Sequence, residues 1–127
     1  MKQIILTKES PAPIGAYSQA VKYNGMLYIS GQLAIDPHTG KLMFDGIKKE
    51  TALIMDNIGN ILREAGMTYE NVLFTTILLK DINDFERVNE VYSKYFNADT
   101  APARAAYQIA TLPKNANIEI TMIAGEE

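Results

Sequence analysis

The run from Val72 to Leu79 (V-L-F-T-T-I-L-L) limits the possible folds more than any other stretch of the chain. Its β-branched and aromatic residues favour a strand, and apolar side chains occur at both odd and even positions. Successive side chains of a strand point to opposite faces, so this strand needs apolar neighbours on both faces. We therefore expect it at the centre of a sheet that is covered on both sides.

Two amphipathic helices are available to cover one face of that sheet. Between Ile47 and Ala65, apolar residues recur at helical spacing, and Gly66 follows at the position that commonly ends a helix. Asn83 is predicted to cap a second helix, with Glu86 as the third helical residue. The apolar face of this second helix would carry Phe85, Val88, Tyr92, Tyr95 and Phe96.

The other segments with strand patterns complete one domain over residues 1–127. Asn24-Gly25 predicts a tight hairpin leading into a strand over 26–35. The final strands are predicted at about 103–110 and 117–124, and we expect them to form a hairpin. The order β-β-β-α-β-α-β-β predicts a two-layer α+β sandwich, with a mixed sheet and both helices on one face.

The second face of the sheet would remain apolar without a covering layer. The Val72–Leu79 strand contributes apolar residues to both faces, and soluble proteins rarely leave such a surface bare. We therefore expect a homo-oligomer that packs through the open sheet face, with clefts between its subunits.

Composition removes several classes of function. The chain has no cysteine and one histidine, His38, which argues against thiol nucleophiles, thiolate metal sites and multi-histidine metal sites. A net charge of −3 argues against extended contact with nucleic acid. The N-terminal apolar run is too short for a secretory signal, and no stretch reaches the roughly 20 apolar residues that cross a bilayer. We expect a cytoplasmic protein with no metal, nucleic-acid or membrane partner.

Arg104 is a single charge among small apolar residues. A charge in an apolar setting is costly unless it is paired or used. Its planar guanidinium fits a carboxylate through two parallel hydrogen bonds, and the neighbouring alanines leave room beside it. A structural ion pair and a solvent-facing edge residue are the alternatives.

Glu119 lies between two isoleucines and, on a strand, would face away from both. Desolvation in a partly apolar cleft raises the pKa of a carboxyl group, which can then exchange protons near neutrality. The alternatives are an exposed strand glutamate and an ion partner for Arg104, because the pattern does not fix the register between their strands.

Three further positions carry weaker signals. Tyr17 follows a proline-rich loop and offers a hydroxyl that donates or accepts. The Ser30-Gly31 pair in mid-strand indicates a bulge or a close approach, with Gly31 expected on the same face as Ile29. Ser30 has no histidine available to activate it. Asn89 interrupts no apolar stripe and is interpreted as a solvated helix residue.

These features together resemble the Rid (YjgF) family, and in particular its RidA branch, over essentially the whole chain. The match lies in the order and spacing of several stretches, none of them decisive alone. They are Ala12-Pro-Ile-Gly-Ala-Tyr-Ser-Gln19, Ile29-Ser-Gly-Gln32, T-T-I-L-L-K-D-I-N over 75–83, Val88-Asn89, Pro102-Ala-Arg104, Leu112-Pro-Lys114 and Ile118-Glu-Ile120.

The resemblance implies a chorismate-mutase-like α+β sandwich that forms a homotrimer with active sites between subunits. It also implies an enamine/imine deaminase, which needs no cofactor. Such enzymes hydrolyse 2-iminopropanoate and 2-iminobutanoate, the imine forms of 2-aminoacrylate and 2-aminocrotonate, to 2-keto acids and ammonia.

The same resemblance assigns roles to individual residues. Arg104 would bind the substrate carboxylate and Glu119 would position or activate water. The pocket would be lined by Tyr17, Ser30 and Gly31. Many members read P-A-R-S-C where this chain reads P-A-R-A-A. Ala106 would therefore supply a backbone N–H to the substrate but no thiol.

Two other functions remain open at this point. A ribonuclease or translation inhibitor, an activity ascribed to some relatives, would need a basic groove that the charge does not favour. A non-catalytic module that binds a metabolite in the same cleft would need Arg104 but could dispense with Glu119.

Overall fold

The computed structural model describes residues 1–127 and contains one six-stranded mixed sheet with two α-helices on one face. The predicted order of elements, β-β-β-α-β-α-β-β, is confirmed. The strands are β1 (Gln3–Ile5), β2 (Ala20–Tyr23), β3 (Met26–Gln32), β4 (Val72–Leu79), β5 (Ala103–Gln108) and β6 (Ile118–Gly125). The helices are α1 (Ile47–Glu64) and α2 (Phe85–Tyr92).

The strands are arranged in the order β1-β2-β3-β6-β4-β5. Only β4 and β5 pair in parallel, and every other pair is antiparallel. The expected hairpin of the last two strands is wrong, because β6 lies between β3 and β4 whereas β5 lies on the outer edge of β4. The crossover through α2 returns the chain parallel to β4, which places β5 beside it and leaves the other edge of β4 for β6.

The core lies between the helices and one face of the sheet. Alternate residues of β6 are fully buried, beginning with Ile118 and Ile120, and they pack against apolar residues of α1 such as Ile54 and Ile58. On β4, Ile77 belongs to the same cluster. Burial of one side of each strand therefore fixes which residues remain for the other face.

The helix ends follow the predicted signals in one case and depart from them in the other. Gly66, with φ +77°, follows the end of α1 as predicted. Asn83 does not cap α2. It lies inside a short 3₁₀ turn, where its backbone N–H donates to the side chain of Asp81 at 2.9 Å. Asp81 caps this turn, and α2 begins directly after it at Phe85, with Asp84 at the N-cap position and no side-chain capping bond.

A β-bulge interrupts β3 at the predicted place. Ile29 pairs with Met122 and Gln32 with Ile120, so the two residues between them face one residue of β6. The strand ends at Gln32 and not at residue 35. The bulge also shifts the alternation, so Gln32 is buried and Gly31 reaches the open face. The expectation that Gly31 shares the face of Ile29 is therefore wrong.

The sheet face opposite the helices carries exposed apolar side chains in a single subunit. Tyr28 of β3 is 48% exposed and Phe74 of β4 is 38% exposed. β4 is thus covered on the helix side alone, whereas its sequence predicts cover on both sides. No helix of the structure has the length and apolar character needed to span a bilayer.

Candidate active site

Glu119 lies on the open face of β6, as its alternation with buried neighbours predicts. It is half-buried, and its carboxylate lies next to Gly31 of the bulge in β3. A Cβ atom added to Gly31 would lie 2.7 Å from Cδ and 2.7 Å from Oε2 of Glu119. The missing side chain at Gly31 therefore provides the space that the carboxylate occupies.

The environment of Glu119 favours its protonated form. Burial raises the pKa of this carboxyl group above its ordinary value, and desolvation is the cause. The carboxylate takes part in none of the three salt bridges of the structure. A carboxylate in this state is a stronger base than an exposed one, because its surroundings do not stabilise the charge.

Ser30 holds the bulge against the preceding loop. Its Oγ donates to the carbonyl of Ser18 at 2.6 Å, and its backbone N–H donates to the carbonyl of Gln19 at 3.0 Å. The hydroxyl proton of Ser30 is therefore already used within the protein. The residue borders the same cleft as Glu119 but acts there as a tether for the loop.

Tyr17 lies on this loop and is 52% exposed. Its hydroxyl oxygen accepts a hydrogen bond from the backbone N–H of Ile14 at 3.2 Å. The neighbouring Gly15 has φ +113°, a conformation that favours glycine, and its carbonyl accepts from the N–H of Tyr17 at 3.0 Å. The loop thus fixes the phenol oxygen while its hydrogen remains available to a ligand.

Gln19 is a buried support that sequence reasoning did not single out. Its amide oxygen accepts from the N–H of Thr7 at 2.8 Å, and its amide nitrogen donates to the carbonyls of Thr7, Ser10 and Pro11 at 2.9–3.2 Å. One side chain therefore fastens the proline-rich loop that carries Tyr17. A polar residue that follows two prolines and directly precedes a strand was the available signal.

These groups line one cleft of about 510 Å³. The structure brings together four of the residues predicted for the site, namely Tyr17, Ser30, Gly31 and Glu119. Lys114 also borders this cleft, with a left-handed backbone at φ +57°. Lys114 forms no salt bridge with Glu119 and was not predicted as a site residue.

Arg104 lies in a different place, against α2. Its Nη1 donates to Oδ1 of Asn89 at 2.6 Å. Its Cζ lies 5.1 Å from the ring centroid of Phe85 and 5.1 Å from that of Tyr92. Arg104, Asn89 and Tyr92 border a separate cleft of about 470 Å³. Asn89 is therefore the acceptor for Arg104, and its interpretation as a merely solvated residue is wrong.

Arg104 and Glu119 lie on opposite faces of the sheet within one chain. Arg104 is opposite Thr75 of β4, which is buried on the helix side, whereas Glu119 is opposite Leu78 on the other side of that strand. The two charges form no ion pair, so that alternative is wrong. Within one chain, Arg104 and Glu119 therefore border two separate clefts.

Ala106 is two residues beyond Arg104 and on the same face of β5. The N–H of Ile109 donates to the carbonyl of Leu79 in β4. Because N–H groups alternate in direction along a strand, that of Ala106 points away from β4, at the free edge of the sheet. It is therefore a backbone donor without a strand partner in this chain.

The remaining chemistry-bearing residues do not form a further site. His38 lies in the turn predicted for it, where its N–H donates to Oδ1 of Asp36 at 2.8 Å. No three side chains of histidine, cysteine, aspartate or glutamate form a group that could hold a metal ion.

Comparison with known proteins connects this geometry to one family. The model of the family described as Endoribonuclease L-PSP matches residues 7–126. A protein of Rattus norvegicus named 2-iminobutanoate/2-iminopropanoate deaminase is 49% identical over 124 residues, which cover 98% of this chain and 90% of that protein.

Solved structures show the same fold. YyfA from Yersinia pestis, described as a protein of the conserved Rid family, is 43% identical with a TM-score of 0.96, over 99% of this chain and 100% of that chain. TdcF from E. coli, solved with bound serine, is 35% identical with a TM-score of 0.91, over 98% and 99% of the two chains. The resemblance seen in the sequence is confirmed, and the chain belongs to the Rid (YjgF) family, whose model carries the description Endoribonuclease L-PSP.

Proposed function

We propose that this protein is an enamine/imine deaminase, which hydrolyses 2-iminobutanoate and 2-iminopropanoate to 2-keto acids and ammonia. The rat relative at 49% identity bears this activity in its name. The observation that carries the proposal is the Glu119 carboxylate, which is half-buried, raised in pKa and held above Gly31 in an open cleft. Water activation requires a base in such a position.

The complete site forms between two subunits of a homotrimer, with Arg104 from one and Glu119 from its neighbour. Support comes from the placement of these residues on opposite faces of one sheet. The exposed apolar face around Tyr28 and Phe74 supplies a surface for association. A closed ring of subunits would repeat the same junction at every interface. Residues 1–127 act as a single domain within each subunit.

Substrate binding begins with the carboxylate. Arg104 grips it through two parallel hydrogen bonds, and the free N–H of Ala106 adds a third donor. The hydroxyl of Tyr17, from the neighbouring subunit, donates to the substrate beside Glu119. TdcF holds serine, a small amino acid with a carboxylate, which fits a site of this chemistry.

The reaction then needs one base and no cofactor. Glu119 takes a proton from water as the water oxygen bonds to C2 of the protonated imine, and the C=N electron pair moves to nitrogen. The product is a carbinolamine with a neutral amino group. Glu119 returns its proton to the nitrogen, and the C2–N bond breaks to release ammonia. The carboxylate of Glu119 takes the hydroxyl proton as the ketone forms and passes it to ammonia, so that ammonium and a 2-keto acid are released. General acid–base catalysis contributes about 10²–10⁴-fold, and positioning of the reactants adds to it.

Arg104→Ala is the test of this assignment. Loss of the only cation on the carboxylate should reduce keto-acid release by at least about 100-fold, because a charge-assisted bidentate contact is lost. The assay couples the protein to a dehydratase that generates the imine from serine or threonine. Arg63→Ala is the matched control, since Arg63 is an exposed arginine on α1 that also donates to an asparagine. Full activity in Arg104→Ala would refute the proposal.

A non-catalytic metabolite-binding module is the main competitor. It would keep ligand affinity and show no turnover in the unmodified protein, and Glu119→Ala would leave its binding unchanged.

The endoribonuclease named in the family description is less well supported, because the net charge is −3 and His38 does not border either cleft. RNA cleavage that disappears in an Arg104/Glu119 double variant would favour it. We place the activity in the cytoplasm, which suits a chain without cysteine.

A further inference from the structure

Three residues of α2 surround the guanidinium of Arg104. Phe85, Asn89 and Tyr92 are spaced i, i+4 and i+7, so they lie on one face of the helix. The two rings lie 5.1 Å from Cζ, and the amide oxygen of Asn89 lies 2.6 Å from Nη1. The helix therefore contacts the cation with two aromatic groups and one neutral acceptor.

The helix that carries these residues is itself fixed in the core. Val88 is fully buried, and Tyr92 is 4% exposed. The hydroxyl of Tyr92 donates to Oγ1 of Thr75 in β4 at 3.0 Å, and both groups are buried. Thr75 is the strand partner of Arg104. The contacts that link β4, α2 and β5 to one another thus set the orientation of the guanidinium.

We propose that Asn89 is a positioning residue, which orients Arg104 for the substrate carboxylate without neutralising its charge. This inference rests on the proposed role of Arg104 as the carboxylate clamp. A guanidinium has five N–H donors, so one bond to Asn89 leaves enough for a bidentate contact. The amide restricts the side chain, while the full positive charge remains for the ligand.

The neutrality of the acceptor is the decisive feature. An aspartate at position 89 has almost the same shape and would bind Arg104 more strongly, because a hydrogen bond between two charged groups is stronger. It would also cancel the charge that attracts the substrate and compete for the same donors. If Asn89 served only to hold the fold, aspartate would replace it without loss.

The test compares Asn89→Ala with Asn89→Asp. KM and kcat are measured for imine hydrolysis, and Kd for 2-oxobutanoate is measured by calorimetry. Asn89→Ala should raise KM and Kd about 10-fold, the effect of one hydrogen bond to a charged group. Asn89→Asp should raise both about 100-fold, because it also removes the electrostatic attraction. In both variants kcat should change less than KM, and the melting temperature should stay near that of the wild type.

Asn60 provides a matched control on α1. Its Oδ1 accepts from Nη1 of Arg63 at 2.7 Å, so it forms the same type of pair on an exposed helix surface. Asn60→Ala and Asn60→Asp should leave KM and Kd unchanged. This control separates the effect at Arg104 from any general effect of a changed charge.

The outcomes separate this inference from the proposed function. If Asn89→Asp binds 2-oxobutanoate as well as the wild type, or better than Asn89→Ala, the inference is wrong. A fall in kcat at constant KM would also overturn it, because it would indicate a loss of folded enzyme. If Arg104→Ala itself keeps full affinity and activity, the clamp is wrong and the proposed site fails with it.

Discussion

Glu119 and Gly31 act as a pair in which the missing side chain of one residue creates the position of the other. Cδ and Oε2 of Glu119 occupy the space that a Cβ atom at residue 31 would need, at 2.7 Å. Gly31 does not have a positive φ, so backbone freedom does not explain the glycine. The glycine is needed because it leaves space above the bulge. This space links the bulge of β3 to the position of the Glu119 carboxylate on β6.

Gly31→Ala should therefore damage catalysis more than folding. The methyl group would displace the carboxylate, and we expect kcat/KM to fall about 10–100-fold, as for a catalytic group moved by about 1 Å. Steady-state kinetics and thermal unfolding measure the two effects. In a Glu119→Ala background the same substitution should cost no further activity, and an additive loss in the double variant would contradict the pairing.

The raised pKa of Glu119 also predicts an effect on stability. A carboxyl group with a higher pKa in the folded state binds its proton more tightly there. Its protonation therefore stabilises the fold at pH values below the unfolded pKa of about 4.3. This contribution to stability is lost as the pH rises through the pKa of the folded state. Glutamine carries no charge to desolvate. Glu119→Gln should thus melt at a higher temperature than the wild type at pH 7.5, with the difference vanishing near pH 4.

The exposed Glu64 of α1 provides the control for this measurement. Glu64→Gln should show no comparable gain at pH 7.5. A lower melting temperature for Glu119→Gln at that pH would show that the charge is stabilised by its surroundings, and that the desolvation argument is wrong.

At the level of single residues, the sequence predicted the direction in which a side chain points more easily than the residue that it contacts. Glu119 lies between two buried isoleucines, so its outward direction followed from alternation alone. Asn89 is an ordinary residue for a helix surface, and its role depends on Arg104, which is 15 positions away in another element. The spacing of Phe85, Asn89 and Tyr92 was visible, but nothing local shows that a cation lies over that face.

Among the structural elements, the loop between β1 and β2 positions Tyr17 through a single buried amide. Gln19 satisfies one backbone N–H and three backbone carbonyls of that loop. A loop with two prolines makes few backbone hydrogen bonds of its own, so a side chain supplies them. The stability of the loop and the shape of the cleft therefore depend on the same residue.

Gln19→Glu tests this dependence with little change in shape. A carboxylate accepts hydrogen bonds but does not donate, so three carbonyls would lose their partner and face a buried charge. We expect a loss of about 2–3 kcal/mol in the free energy of unfolding, from the 1–3 kcal/mol range for unsatisfied buried groups. Urea unfolding measures it. An unchanged stability, together with unchanged kcat/KM, would contradict the role of Gln19 as the fastener of the loop.

The elements themselves show what periodicity can and cannot predict. The helices and strands were found in the right order, because each buries one face and the period of burial differs between them. The neighbours of β6 were not found, since adjacency in sequence suggested a hairpin with β5. The pairing of a strand depends on which edges of its neighbours are not already paired. The crossover through α2 places β5 at one edge of β4, so β6 pairs at the other edge.

For the whole molecule, the separation of Arg104 and Glu119 limits how the proposed site can be assembled. β4 lies between Arg104 and Glu119, and their side chains leave the sheet on opposite faces. No rotamer change within one subunit could bring them to the same substrate, because the sheet stands between them. A site that uses both must therefore be completed by a second copy of the chain.

Complementation between two inactive variants tests this arrangement directly. Arg104→Ala and Glu119→Gln should each be inactive alone. In randomly mixed oligomers, an interface is intact when one subunit contributes an unmutated Arg104 and its neighbour contributes an unmutated Glu119. For equal amounts of the two chains, this occurs at about one interface in four. Co-expressed variants should therefore regain up to about a quarter of wild-type activity per interface.

If both residues served a substrate within one subunit, no mixed oligomer would contain an intact site and activity would stay at the level of the separate variants. Sedimentation of the same samples would show whether three subunits are present, and a monomer with full activity would refute the shared site outright.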